Sequence, residues 1–149
     1  MKLPAFFIAH GSPLLALEDN DYTRFLTRLG QDLPLPRGIV VFSAHWDSPE
    51  QLVTVDVQHE VQHDFYGFPE EMYSLTYPAP GDPLLSRRIC ELFKNHNLAH
   101  QPVLGRGLDH GVWVILQKMF PEAQIPVVAL SVDSLRSPSE QYEDRKSVV

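Results

Sequence analysis

The chain has 149 residues, 44% of them hydrophobic, which is the size of one ordinary domain with enough apolar material for a sizeable core. Its formal charge of −7, from 19 acidic against 12 basic residues, and the absence of basic runs interleaved with aromatics argue against a nucleic-acid partner. No apolar run approaches the roughly 18 residues of a membrane helix, no signal-peptide pattern follows Met1, and the single Cys90 has no partner for an internal disulfide, so the expectation is a soluble cytoplasmic protein with no membrane partner.

Residues 3–9 are apolar and read as a first strand that ends at the turn His10-Gly11-Ser12-Pro13. Tyr22, Phe25, Leu26 and Leu29 recur at helical spacing behind Asp19 or Asn20 as a cap, which predicts a helix over about 20–31. A second buried strand is expected over 38–44. The alternation of Leu52 to Val57 predicts a further strand near an edge of the sheet, because one of its faces is polar. From Gln58 to Gly81 there is no clean period, and a long ordered loop over a pocket is expected. Asp82-Pro83 is a cap followed by a first-turn proline, opening a helix to about Asn95 that places Cys90 as a core thiol. A short strand near 100–104, a helix opened by Asp109-His110-Gly111, and a last buried strand from Ile125 to Val132 complete the pattern. Strands alternating with helices imply an α/β fold, a three-layer α/β/α domain over 1–133 with a mostly parallel central sheet. Residues 134–149 read as a polar, frayed tail, and an interrupted parallel sheet of this kind predicts self-association.

The chemistry concentrates at two histidines. His10 and His45 each close an apolar run, and in an open α/β sheet ligands gather beyond the carboxyl ends of the strands. Two imidazoles brought to one such crevice are metal donors, although a single histidine at a strand end is more often an ordinary hydrogen-bonded residue. His59, His63, Asp64, Asp109 and His110 are the residues able to complete a site, with His63 and His110 foremost. His96 and His100 flank a helix end and read as structural. Ser12 lacks the Gly-x-Ser-x-Gly setting of an exposed nucleophile and reads as a turn residue. Trp46, Phe65, Tyr66, Phe68 and Trp113 are candidates for an aromatic wall against a planar ring, or for core.

Five segments in this order, Ala9-His10-Gly11-Ser12-Pro13, Ser43-Ala44-His45-Trp46, His63-Asp64-Phe65-Tyr66-Gly67-Phe68-Pro69, Tyr77-Pro78-Ala79-Pro80-Gly81 and Leu108-Asp109-His110-Gly111-Val112-Trp113, resemble the class III extradiol ring-cleaving dioxygenases of the DOPA 4,5-dioxygenase type, within the LigB-like superfamily. The resemblance implies an α/β/α fold, one Fe(II) or Zn(II) ion per chain, and O2-dependent opening of a catechol ring beside its hydroxyls. It implies that His10 and His45 are metal ligands and that His110 and His63 line the substrate pocket; from the residues themselves, His110 and His63 are the candidates for the catalytic base, and Trp46, Phe65 and Trp113 are the aromatics expected to contact the substrate. The family's remaining metal ligand and acid-base histidine come from a later segment that this chain does not show. An inactive metal-binding fragment of the same fold is therefore the alternative. A tetrapyrrole chelatase, which shares a strand followed by His-Gly-Ser, fits the Ala-His-Trp and Asp-His-Gly motifs poorly.

Overall fold

The computed structural model describes residues 3–146. A four-stranded sheet runs through the centre: β1 (Ile39–Asp47), β2 (Gln51–Thr54), β3 (His100–Val103) and β4 (Val127–Val132), in the order β1-β4-β2-β3. The β1–β4 and β2–β3 pairs are parallel, and β2 meets β4 antiparallel. Helices α1 (Asp21–Asp32) and α3 (His110–Met119) cover one face, and α2 (Pro83–Asn95) covers the other. The three-layer α/β/α expectation therefore holds.

Local sequence explains the helices. The Asn20 side chain accepts from the Tyr22 and Thr23 amides while the Thr23 hydroxyl accepts from the Asn20 amide, a reciprocal cap that starts α1. Asp82 caps α2 through the Leu85 amide at 2.9 Å, with Pro83 in the first turn where its missing N–H costs nothing. In α3, five successive residues from Val112 to Leu116 are buried, because this helix is sandwiched between α1 and the sheet and has no solvent face to spare. The α1–α3 contact is close enough to require a glycine: a Cβ on Gly30 would stand 2.0 Å from the Met119 carbonyl oxygen.

Three expectations are corrected. Residues 3–9 form no strand; they run irregularly along the surface, and only Ile8 packs against the core. The run has strand-like residues but no neighbouring chain to supply a ladder, and apolar character alone does not make one. The second correction concerns β2, which lies between β4 and β3 instead of at an edge and stops at Thr54. Polar side chains of both strands join it to β4: Thr54 Oγ1 of β2 accepts from the Ala129 amide at 2.9 Å, and the Ser131 hydroxyl of β4 accepts from the Leu52 amide at 2.8 Å and donates to the Glu50 carbonyl at 3.0 Å. Third, part of the supposed frayed tail is a helix, α4 (Pro138–Lys146), started by Ser137, whose amide and hydroxyl both donate to the Glu140 carboxylate. Val148 and Val149 lie outside the described residues. No helix among the described residues is long and apolar enough to cross a membrane.

Candidate metal centre

His45 sits near the end of β1, past a break in the pairing register between Phe42 and Asp47. Such a bulge turns the strand and re-aims its side chains. Here it leaves Ser43 and Trp46 facing the core and His45 facing out. The Ser43 hydroxyl accepts from the His45 amide at 3.2 Å and donates to Asp109 Oδ1 at 2.8 Å. Asp109 is fully buried, and its second oxygen accepts from the Arg106 guanidinium at 3.0 Å. Arg106 in turn lies 4.3 Å from the centre of the Trp46 ring, so the guanidinium is held by a carboxylate and an aromatic face together. This network ties the end of β1 to the start of α3.

Asp109 is the residue before the first turn of α3, yet its carboxylate does not cap the helix, being engaged by Ser43 and Arg106. The orphan His110 amide is taken instead by Asp64 Oδ1 at 2.9 Å, from the long 58–81 loop. The same oxygen lies 2.9 Å from His110 Nδ1, close in distance but poorly aligned for a hydrogen bond. Burial opposes ionisation of Asp64, but the His110 backbone and imidazole prevail and hold its carboxyl below the usual range. Gly111 then lets His45 approach: a Cβ there would stand 2.6 Å from His45 Cδ2.

His10 reaches the same place from the irregular N-terminal segment. The Tyr22 hydroxyl donates to the Ala9 carbonyl, which anchors that segment to α1, and Ser12 caps the short 3₁₀ turn Pro13–Ala16 by accepting from the Leu14 amide at 3.2 Å. His10 Nε2 is 2.8 Å from His45 Nε2. The ring centres stand 4.8 Å (His10–His45), 4.9 Å (His10–His110) and 4.1 Å (His45–His110) apart. One donor atom from each of the three lies within 4.8 Å of the others, so the group is able to hold a metal ion. Burial first, then the neighbouring His110 and His45, holds the His10 imidazole below its usual pKa, which favours the neutral form a metal requires. At about 2.0–2.1 Å from one ion and about a right angle apart, two ring nitrogens stand roughly 3 Å from each other, and the His10–His45 separation fits.

The other sequence candidates divide. His63 is half-buried, and its Nε2 donates to the Leu75 carbonyl at 3.1 Å; it is separate from the three-histidine group and touches the rings of Phe65, Tyr73 and Trp113. Phe65 bridges to the site, its ring 5.9 Å from that of His110 and edge-on. Trp113 is wholly buried and donates to the Gln62 carbonyl at 3.1 Å, and Trp46 lies in the same core cluster, so both back the site from within. His59 is buried, with Nε2 donating to the Val127 carbonyl at 2.8 Å. His96 and His100 bond to nearby carbonyls of Leu92 and Leu98. Sequence reading gave Arg106 no role, and a charged residue between two glycines before Asp-His-Gly was the signal available.

Residues 4–146 match the family described as the catalytic LigB subunit of aromatic ring-opening dioxygenase. The chain belongs to this family. It is 46% identical over 146 residues to the 4,5-DOPA dioxygenase extradiol of Escherichia coli K12, covering 95% of this chain and 52% of that protein. The Beta vulgaris protein of the same name is 40% identical over 93% of this chain and 53% of its own length. A crystal structure of an uncharacterized Escherichia coli K12 protein superposes with a TM-score of 0.62 at 41% identity, covering 80% of this chain and 43% of that one. The LigB chain therefore spans about half the length of the curated relatives it matches.

Proposed function

We propose that this LigB-family chain forms the metal-holding half of an extradiol dioxygenase acting on a catechol of the DOPA kind. The observation that carries the reading is the convergence of His10, His45 and His110, from three separated parts of the chain, on one spot. The donor set is imidazole, which suits ferrous iron or zinc, and ferrous iron is the choice for O2 chemistry. His10 and His45 would hold the ion. When bound, iron supplies the electronic coupling between catechol and O2 that lets a ring carbon–carbon bond beside the hydroxyls break, both oxygen atoms remaining in the ring-opened product.

The side chains have separate tasks. His110, fixed at the start of α3 by Asp64, takes a proton from a catechol hydroxyl through its ring nitrogen, a role worth roughly two to four powers of ten in rate. Phe65 offers an aromatic edge to the substrate ring, and His63 lies behind it as a second pocket histidine. Buried Trp46 and Trp113 hold this wall in place without being part of its surface.

The test is anaerobic loading of the purified chain with ferrous iron, metal analysis, then addition of DOPA and O2 while watching for the yellow semialdehyde. His10→Ala and His45→Ala lose both metal and colour. His110→Ala keeps the metal and loses the colour. Metal loss in His110→Ala as complete as in His10→Ala would make His110 a ligand and remove its assignment as base, and metal uptake without colour in the unaltered chain would overturn the activity.

A further inference from the structure

Asp109 stands where a helix start is usually capped, and an aspartate at that position ordinarily accepts from the amides of the first turn. It forgoes that role. Wholly buried, it accepts from the Ser43 hydroxyl at 2.8 Å through Oδ1 and from the Arg106 guanidinium at 3.0 Å through Oδ2, while Asp64 serves the helix start in its place. Replacing a buried ion pair by apolar groups of the same volume is often neutral or stabilising, so stability alone does not account for this one. The loop before α3 is nevertheless shaped to deliver the cation. Gly105 and Gly107 both take positive φ, 77° and 75°, and between them the Arg106 side chain is folded inward until it is only 11% exposed, donating also to Gln62 Oε1 at 3.2 Å.

The direction of the hydrogen bonds shows what the pair controls. The pairing of β1 with β4 is interrupted between Phe42 and Asp47, a stretch that spans only Leu130 to Val132 of β4, and within it the His45 amide finds an acceptor in Ser43 Oγ at 3.2 Å. A serine hydroxyl has one proton to give, and here it goes to Asp109, which leaves the Ser43 oxygen to accept from His45. Donation therefore runs from the His45 amide to Ser43, from Ser43 to Asp109, and from Arg106 to the same carboxylate. Only a carboxylate accepts on both sides. An asparagine of the same shape would keep its oxygen toward Arg106 and turn its NH2 on Ser43, whose oxygen would then be contested with the His45 amide. We infer that Ser43, Asp109 and Arg106 are positioning residues for His45, fixing the backbone of the strand break and so the place of its imidazole beside His10 and His110, a role that rests on the metal-holding reading of these histidines. Loss of such outer partners typically weakens metal binding about 10–100-fold.

The experiment measures amide exchange at His45 in the metal-free chain, then titrates the chain with cobalt and follows the visible absorbance of the bound ion. The parent binds cobalt and His45→Ala does not, which locates the ion. Ser43→Ala and Asp109→Asn each weaken cobalt binding on the order of tenfold and shift its absorption bands. The double variant binds no more weakly than the weaker single one, because the two residues act through one chain of bonds. Before metal is added, both variants speed exchange of the His45 amide by about tenfold beyond any common change at the β4 amides, Asp109→Asn included although its Ser43 is intact. An aspartate with a merely structural role would not move that amide. Ser86→Ala, which removes a buried hydroxyl bonded to the Thr54 carbonyl from α2 in the opposite layer, lowers stability and leaves cobalt affinity unchanged. Parental cobalt affinity in Ser43→Ala, unaltered His45 exchange in Asp109→Asn, or losses that add in the double variant would each overturn the inference, and the first decides alone if Asp109→Asn does not fold. A parent that binds no cobalt, or a His45→Ala variant that binds it as well, would instead remove the metal reading and this inference with it.

Discussion

Replacing Gly111 by alanine separates the stability of the fold from the integrity of the site. Gly111 lies in the first turn of α3, where exchanging glycine for alanine stabilises a helix by up to about 1 kcal/mol through the backbone entropy of the unfolded chain. The added methyl, however, would stand 2.6 Å from His45 Cδ2 and 3.4 Å from its Nε2. Ordinary carbon–carbon contact begins near 3.5 Å, so the imidazole must retreat by roughly 1 Å. His45 is exposed and turns aside cheaply, and Asp109 Oδ1, 3.1 Å from the added methyl, has to give by only a few tenths of an ångström, which leaves the fold intact. Metal–nitrogen distances tolerate only about 0.2 Å, so the retreat is several times what a ligand can accept. Gly111→Ala is therefore expected to unfold at the parent's temperature or slightly above, while its affinity for a probe ion such as cobalt falls on the order of 10–100-fold, the usual effect of disturbing a ligand's support. Differential scanning calorimetry and a cobalt titration followed by absorbance read the two quantities on one sample. Undiminished cobalt affinity would refute the placement of His45, and a large loss of melting temperature would refute the claim that its side chain yields easily.

Other substitutions probe what surrounds the site. Asp109→Ala leaves the Arg106 guanidinium buried without its carboxylate and should destabilise the chain by about 3–5 kcal/mol in urea unfolding; a loss below about 1 kcal/mol would show that the pair is not integral. Gly30→Ala drives a methyl into the Met119 backbone, so α1 and α3 must separate, with an expected loss above about 2 kcal/mol by the same assay. Tyr77 is buried, donates to the Phe120 carbonyl at 3.0 Å, and has its hydroxyl pushed up from 10.0 to about 12 by burial. Below pH 10 both folded and unfolded states keep the proton; between 10 and about 12 only the unfolded chain loses it, so stability falls as pH rises, by at most about 1.4 kcal/mol per pH unit. Tyr77→Phe should flatten that slope, and an unchanged slope would place its origin elsewhere.

Strong local chemistry is what the sequence made legible. Asp82-Pro83 and the Asn20 cap located α2 and α1 because capping is settled within four residues. His10 and His45 were recognisable as a pair, and His110 as one of the residues able to join them, from motifs that each stand beside a turn. What depended on distant partners was hidden. Residues 3–9 look like a strand, but a strand exists only where another supplies hydrogen bonds. β2 looked like an edge because Thr54 and Asp56 make one face of 52–57 polar, and only the fold shows Thr54 bonding the β4 backbone and Asp56 lying past the end of the strand. Trp113 carried the same signal for core as for pocket wall. The α4 start was readable: Ser137-Pro138-Ser139-Glu140 is a serine with a glutamate three residues on and a proline between, outweighed by the tail's lack of apolar period.

The three histidines are not equally fixed. His45 stands on a hydrogen-bonded strand and His110 on a capped helix, while His10 hangs from a stretch fastened by one phenol and one isoleucine. The arrangement is a vice with one fixed jaw, His45, and one sprung jaw, His10, with His110 held firmly beside them. A cation arriving between His10 and His45 finds the strand-borne nitrogen already in position and must draw in the other itself, so the entropy of settling the N-terminal segment is subtracted from its affinity. Any change that stiffens that jaw beforehand will tighten the grip without touching a ligand.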